Sequence, residues 1–229
     1  IHEIGQSFWL DNIDRQTLIN GELKKMIMDG VIWGVTSNPS IFQKAITTSN
    51  VYRSHIQAMS WAGLDAKEIY ERLVIRDIRS VADLLLPVYE MTNKKDGYVS
   101  IEVDPELADK GPETAAEAER LWKLADRPNV MIKIPATDAG IFAIRETIAK
   151  GINVNVTLIF SVETYARVID AYIAGLEERI SKGQPISNIH SVASIFISRM
   201  DAKVDKLLET LGEKHDANIN QVAELMGRA

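Results

Sequence analysis

Cysteine is absent, which excludes a disulfide framework and any cysteine-based metal site and makes an intracellular, cytoplasmic setting the default. Histidine is scarce. His2, His55, His190 and His215 are scattered without HExxH-type spacing, so no metal is expected. Basic charge is not in excess: the net charge is -6 and no basic run occurs, which argues against a nucleic-acid partner. Apolar runs are strand-sized, well short of the ~20 residues of a membrane span, and no signal peptide is visible, so no membrane association is expected. No glycine-rich dinucleotide fingerprint follows a strand.

What is present is an ordinary globular composition, with 46% hydrophobic and 25% charged residues over 229 positions. That is ample for a stable core. The most informative stretch is Asn129 to Thr137, NVMIKIPAT. Strand periodicity puts Val130, Ile132 and Ile134 on one face and Met131, Lys133 and Pro135 on the other. Lys133 therefore stands among apolar neighbours on its own strand. An ammonium held there loses hydration and its pKa should fall, and a neutral buried amine is a nucleophile for carbonyl carbon. The bland alternatives are a lysine snorkelling to solvent or one paired with a carboxylate from another strand.

Along the chain, strands and helices alternate. QSFWLD (6–11) reads as a strand ending at Asp11, followed by one amphipathic helix over Asp14 to Asp29 that closes at Gly30. Val31 to Thr36 reads as a strand, after which Ser37 or Asn38 caps a helix with Pro39 in its first position. Residues 50–93 read as two helical pieces broken near 62–65. Val99, Ile101 and Val103 alternate with Ser100, Glu102 and Asp104, and a helix from Pro112 to Ala125, capped by Glu113, follows. After the lysine strand come a helix from Thr137–Asp138 to Lys150, a strand with Asn153, Asn155 and Thr157 opposed to Val154, Val156 and Leu158, and a helix over 161–182. HSVASIF then carries His190, Val192, Ser194 and Phe196 on one face, and a last helix starts near Arg199, with only helical segments after Ala202.

This alternation implies parallel strands with helical crossovers. Strands of a doubly wound sheet are apolar on both faces. Five of the six strands here carry a polar face, which suits the interior of a (β/α)8 TIM barrel whose mouth holds the active site. Residues 1–229 are read as a single barrel domain. Six strands do not close such a barrel, so the chain is expected to lack its last strands, with roughly two further βα units, and room for another domain, beyond Ala229.

The polar residues that converge on one mouth are Asp11, Asn38, Glu102, Lys133, Asn155, Thr157 and Ser194. Each has a structural explanation of its own. Asp11 and Asn38 could be turn or cap residues, Glu102 could pair with Lys133, and Asn155 and Thr157 could satisfy one another. Together they suit an iminium mechanism, with Lys133 as the amine, Asp11 as the base for a substrate hydroxyl, and Glu102 with Thr157 handling water. The asparagines would hold hydroxyl groups. Arg199, at a helix start, suits a phosphate; otherwise it is a solvated helix residue.

The segments WLDNI, GVTSNPSIF, IEVDP, IKIPAT, NVTLIFS and SIFISR, in this order over nearly the whole chain, resemble the transaldolases. The resemblance implies a cofactor-free barrel enzyme of the pentose phosphate pathway that acts on phosphorylated sugars. It implies Lys133 as the Schiff-base residue, Asp11 as general acid/base, and Glu102 and Thr157 as holders of the catalytic water. Asn38, Asn155 and Ser194 would bind the dihydroxyacetone part and Arg199 the phosphate, with Phe196 beside the substrate. The sixth-strand motif carries Ile195 and Ser198 where relatives often have Pro and Gly. Alternatives are a simple Schiff-base aldolase and a non-catalytic sugar-phosphate-binding barrel. Nothing in the sequence sets the oligomeric state, which leaves room for a homo-oligomer.

Overall fold

The computed structural model describes residues 2–215. Six strands, β1 (Trp9–Leu10), β2 (Gly34–Val35), β3 (Val99–Glu102), β4 (Val130–Pro135), β5 (Val154–Ile159) and β6 (Ser191–Ile195), form one sheet in chain order with every neighbouring pair parallel. The helices are α1 (Arg15–Ile19), α2 (Glu22–Met28), α3 (Pro39–Thr48), α4 (Arg53–Trp61), α5 (Ala66–Met91), α6 (Gly111–Ala125), α7 (Asp138–Ala149), α8 (Val162–Ser181) and α9 (Ile197–His215). A doubly wound sheet reverses its strand order partway across. This one never does, which is consistent with part of a (β/α)8 barrel.

Local chemistry sets the helix starts. Asn38, Asp65, Thr137 and Ser161 have extended backbones, and their side chains accept from the amides of Ile41, Glu68, Gly140 and Thr164. Each such cap stabilises its helix by ~1 kcal/mol. The outer strand face is apolar, and Val99, Ile101, Ile132, Ile134, Val154 and Val156 join the main core with Ile78, Leu85, Ala118 and Ile144 from the helices. Complete burial of an aliphatic side chain of this size contributes about 1.5–3 kcal/mol. On the inner face, Tyr98 and Met131 pack with Tyr89, and Trp9 and Val192 lie against them. Gly34 is required there, because a Cβ at this position would lie 2.3 Å from the Trp9 indole.

A buried polar lock fixes the start of α1. Arg15 Nε donates to Asp77 Oδ1 at 2.7 Å, Tyr52 Oη donates to Asp77 Oδ2 at 2.9 Å, and the Arg15 guanidinium also lies 4.3 Å from the centre of the Tyr52 ring. Burial pushes the Asp77 carboxyl up against the opposing pull of Arg15 and Tyr52.

Several expected boundaries move. The single helix over 14–29 is two, because the chain turns at Asn20–Gly21 with Gly21 at φ 79°, a conformation glycine adopts at little cost. The first two strands shrink to two residues each. Glu113 does not cap α6; it lies in the first turn behind Lys110. Leu158 does not continue the alternation of β5. It has φ 60° and is 39% exposed, and the register shifts between Val156 and Ile159, the signature of a bulge. The last helix begins at Ile197, and the expected helical stretch after Ala202 extends beyond the described residues.

Candidate active site

Lys133 occupies the middle of β4, whose six residues are all buried. Register places it between Glu102 of β3 and Asn155 of β5. It is not isolated. Its Nζ donates to the Ser37 carbonyl at 3.1 Å and stands 3.6 Å from Glu102 Oε2. The solitary lysine read from its own strand thus has a carboxylate from the next one. Burial pushes the Glu102 carboxyl above its ordinary range, opposed first by Lys133, while the Asp11 carboxylate pushes it further up and the Arg199 guanidinium pulls it down. Three charged groups from separate parts of the chain, Lys133, Asp11 and Arg199, therefore act on Glu102.

Asn155 is fully buried, with both ends of its amide engaged. Its Nδ2 donates to Ser100 Oγ at 2.9 Å and its Oδ1 accepts from Ser194 Oγ at 3.0 Å, which fixes the amide orientation and leaves one N–H free. Thr157 is not its partner; it lies one rung further along the same face, opposite Pro135. Asp11 lies just past β1, exposed, and accepts from Thr36 Oγ1 at 2.6 Å. Asn38 sits half-buried at the start of α3, where its Oδ1 accepts the capping bond from Ile41 and its amide nitrogen is left to donate to a ligand.

At the far side of the mouth, Phe196 follows β6 and stacks on Phe160 with centroids 5.8 Å apart. The Arg199 guanidinium, in the first turn of α9, lies 4.2 Å from the Phe196 ring centre and is exposed. Among the described residues no group of His, Asp or Glu is spaced to hold a metal ion, and no helix is long and apolar enough to cross a membrane.

A cleft of about 310 Å³ opens beside this cluster, between α3, α5 and α6. Ser37, Asn38 and Glu102 lie on its wall, but Lys133 does not. Glu102 therefore belongs to both spaces.

The family model for transaldolase/fructose-6-phosphate aldolase matches residues 8–228. The chain belongs to this family. It is 49% identical over 226 residues to a protein named transaldolase 2 of Nostoc sp., covering 99% of this chain and 59% of that one. It is 49% identical over 208 residues to transaldolase 2 of Streptomyces coelicolor, covering 91% and 56%, and 45% identical over 225 residues to transaldolase of Mycobacterium tuberculosis, covering 98% and 59%. The chain thus spans a little over half the length of these relatives.

The transaldolase family match agrees with the resemblance read from the motifs. Three partners in the site were not read from the sequence as such. Thr36 and Ser100 alternate correctly to face the interior, so their signal was present in GVTSNP and VSIEV. The Ser37 contact to Lys133 is a backbone carbonyl, which no side-chain pattern reports.

Proposed function

We propose that the protein is a Schiff-base transaldolase, transferring a dihydroxyacetone unit from a ketose phosphate to an aldose phosphate in the pentose phosphate pathway of the cytoplasm. The observation that supports this best is the buried Lys133 amine 3.6 Å from a carboxyl group that burial holds toward its neutral form. Proton transfer across that gap leaves a free amine beside a carboxylic acid. The amine attacks the ketone carbon of sedoheptulose 7-phosphate or fructose 6-phosphate, and Glu102 protonates the carbinolamine hydroxyl, which leaves as water. Asp11 then removes the proton of the neighbouring substrate hydroxyl, the C–C bond breaks, and the aldose phosphate departs. The enamine carbon attacks the aldehyde of glyceraldehyde 3-phosphate or erythrose 4-phosphate, with Asp11 returning the proton. Glu102 and Thr157 deliver water to release the product.

Asn38, Asn155 and Ser194 hold the hydroxyls of the dihydroxyacetone unit. Arg199 takes the phosphate, and Phe196 holds the guanidinium in place beneath it. The parallel sheet is part of a (β/α)8 barrel completed by further βα units, a reading supported by the apolar residues exposed near its two edges, Phe8 at 56% and Ile195 at 46%. The test is borohydride reduction in the presence of fructose 6-phosphate, followed by peptide mass mapping. A dihydroxyacetone-sized adduct on Lys133 is expected; its absence under conditions where the sugar binds would favour a non-catalytic sugar-phosphate-binding barrel.

A further inference from the structure

The cleft beside the site has a graded wall. Along α5, Lys67, Tyr70 and Val74 follow one another at helical spacing and all line it. Lys67 is exposed, Tyr70 half-buried and Val74 buried, so the cleft runs from solvent inward. At its outer end Lys67 pairs with Asp104 at 2.9 Å. At its inner end stand Ser37 and Glu102, the two groups that contact the Lys133 amine. Between these ends the walls are largely apolar, with Phe42, Ile101 and Leu121 among the lining residues. The Tyr70 phenol is the polar group that α5 offers midway. Burial raises it to about 12, and Glu102 and Asp104 push in the same direction, so it stays protonated across the working range and can donate. A volume of about 310 Å³ holds a file of waters.

The proposed chemistry releases one water when the imine forms and consumes one when it hydrolyses. During both steps a phosphorylated sugar fills the barrel mouth above Lys133. Water reaching Glu102 from that side would have to pass the substrate. Glu102 is itself on the cleft wall, and its charge acts on the Tyr70 phenol there.

We propose that the cleft between α3, α5 and α6 is the route by which this water leaves and returns, and that Tyr70 is a positioning residue that hydrogen-bonds the water next to Glu102. The inference rests on the Schiff-base reading. In the forward step Glu102 gives its proton to the carbinolamine hydroxyl, the C–O bond breaks as the C=N bond forms, and water departs into the cleft. In the reverse step a water from the cleft adds to the iminium carbon and Glu102 recovers the proton.

The test uses the intact chain carrying Asp11→Ala, so that fructose 6-phosphate forms the Lys133 imine and fills the mouth with little cleavage, with rapid quenching by borohydride to follow adduct formation and dilution to follow its loss. Tyr70→Phe removes the hydroxyl at nearly constant volume, and Gln43→Trp, at an exposed position on the cleft wall, narrows the passage without touching Glu102. Tyr70→Phe should form and lose the imine about tenfold more slowly, the scale of one lost hydrogen bond, and Gln43→Trp should slow both directions by a common factor. The fraction of protein trapped at long times should be unchanged, because a route speeds both directions equally. Damage to the site itself would lower that fraction. Unchanged rates in both variants, or a lowered trapped fraction at unchanged rates, would overturn the inference. If the unsubstituted protein formed no adduct at all, the Schiff-base reading would fall and take this one with it.

Discussion

Lys133 Nζ lies 3.6 Å from Glu102 Oε2, and the two residues are register partners on neighbouring parallel strands. The pairing is not a chance side-chain approach, since the ladder itself sets it. Because burial is the largest influence on Glu102 and raises it, its acid form persists above the ordinary carboxylate range. Imine formation should hold up as pH rises through that range, then fall as Glu102 ionises. Glu102→Gln should slow formation of the Lys133 adduct by about 10²–10⁴-fold and remove that alkaline limb. A variant with the wild-type profile would dissociate Glu102 from the proton transfer.

Asp11 is exposed and held by Thr36 at 2.6 Å, outside the core, so its loss should leave the fold undisturbed. Asp11→Ala should still form the imine with fructose 6-phosphate but cleave its C–C bond about 10²–10⁴-fold more slowly. The covalent intermediate should therefore accumulate and be trapped in higher yield. Turnover at the normal rate would remove Asp11 from the cleavage step.

The Arg15–Asp77 pair is shielded on both sides, with 6% and 2% of the side chains exposed, and Asp77 is also the acceptor for Tyr52. Asp77→Ala would strand a buried guanidinium and a buried phenol together. The expected loss is about 3–5 kcal/mol of unfolding free energy, read from urea denaturation. Tyr52→Phe removes the hydrogen bond to Asp77 and the one the hydroxyl accepts from the Arg15 amide at 3.3 Å, leaves the ion pair in place, and should lose about 1–3 kcal/mol. Equal effects from the two would mean that the ion pair adds nothing beyond the hydrogen bonds of the Tyr52 hydroxyl.

Much of this was legible in the sequence because the strand period is two and the barrel-type interior is polar. Ser100, Glu102, Lys133, Asn155 and Ser194 all fall on the face that alternation assigns, and of the two cap candidates before Pro39, Ser37 and Asn38, it is Asn38 that caps α3. What failed did so for local reasons. Gly21 divides a continuous amphipathic pattern, since hydrophobic spacing is insensitive to a single left-handed residue. The Leu158 bulge ends a clean alternation of Asn153, Asn155 and Thr157 with Val154 and Val156 and has no compositional mark. The lateral cleft depends on the relative placement of α3, α5 and α6, and periodicity carries no information on that.

Arg199 is exposed and its guanidinium rests on the Phe196 ring at 4.2 Å, which orients the group without using its hydrogen-bond donors. Arg199→Ala should raise KM for phosphorylated sugars by about 10–100-fold, the range for a hydrogen bond between charged groups. Imine formation with unphosphorylated dihydroxyacetone should change little. Equal effects on both substrates would count against a phosphate contact.

His190 provides a pH test of stability. Its Nε2 is buried without a hydrogen-bond partner and its ring lies 6.0 Å from that of Tyr98. Burial lowers its pKa, so the folded protein prefers the neutral ring while the unfolded chain titrates near its ordinary value of about 6.5. The contribution of His190 to stability is therefore complete above about pH 6.5 and is lost as pH falls toward the lower, folded-state value. His55, also lowered by burial, adds a loss of the same sign, whereas the raised carboxyls of Asp77 and Glu102 act in the opposite direction. These terms are common to the wild type and a His190→Phe variant, so the difference between the two isolates His190. Urea denaturation between pH 8 and pH 5 should show the wild type losing stability relative to the variant as pH falls. Parallel curves would mean that the ring gains a proton without cost, and that the pocket around Tyr98 admits water.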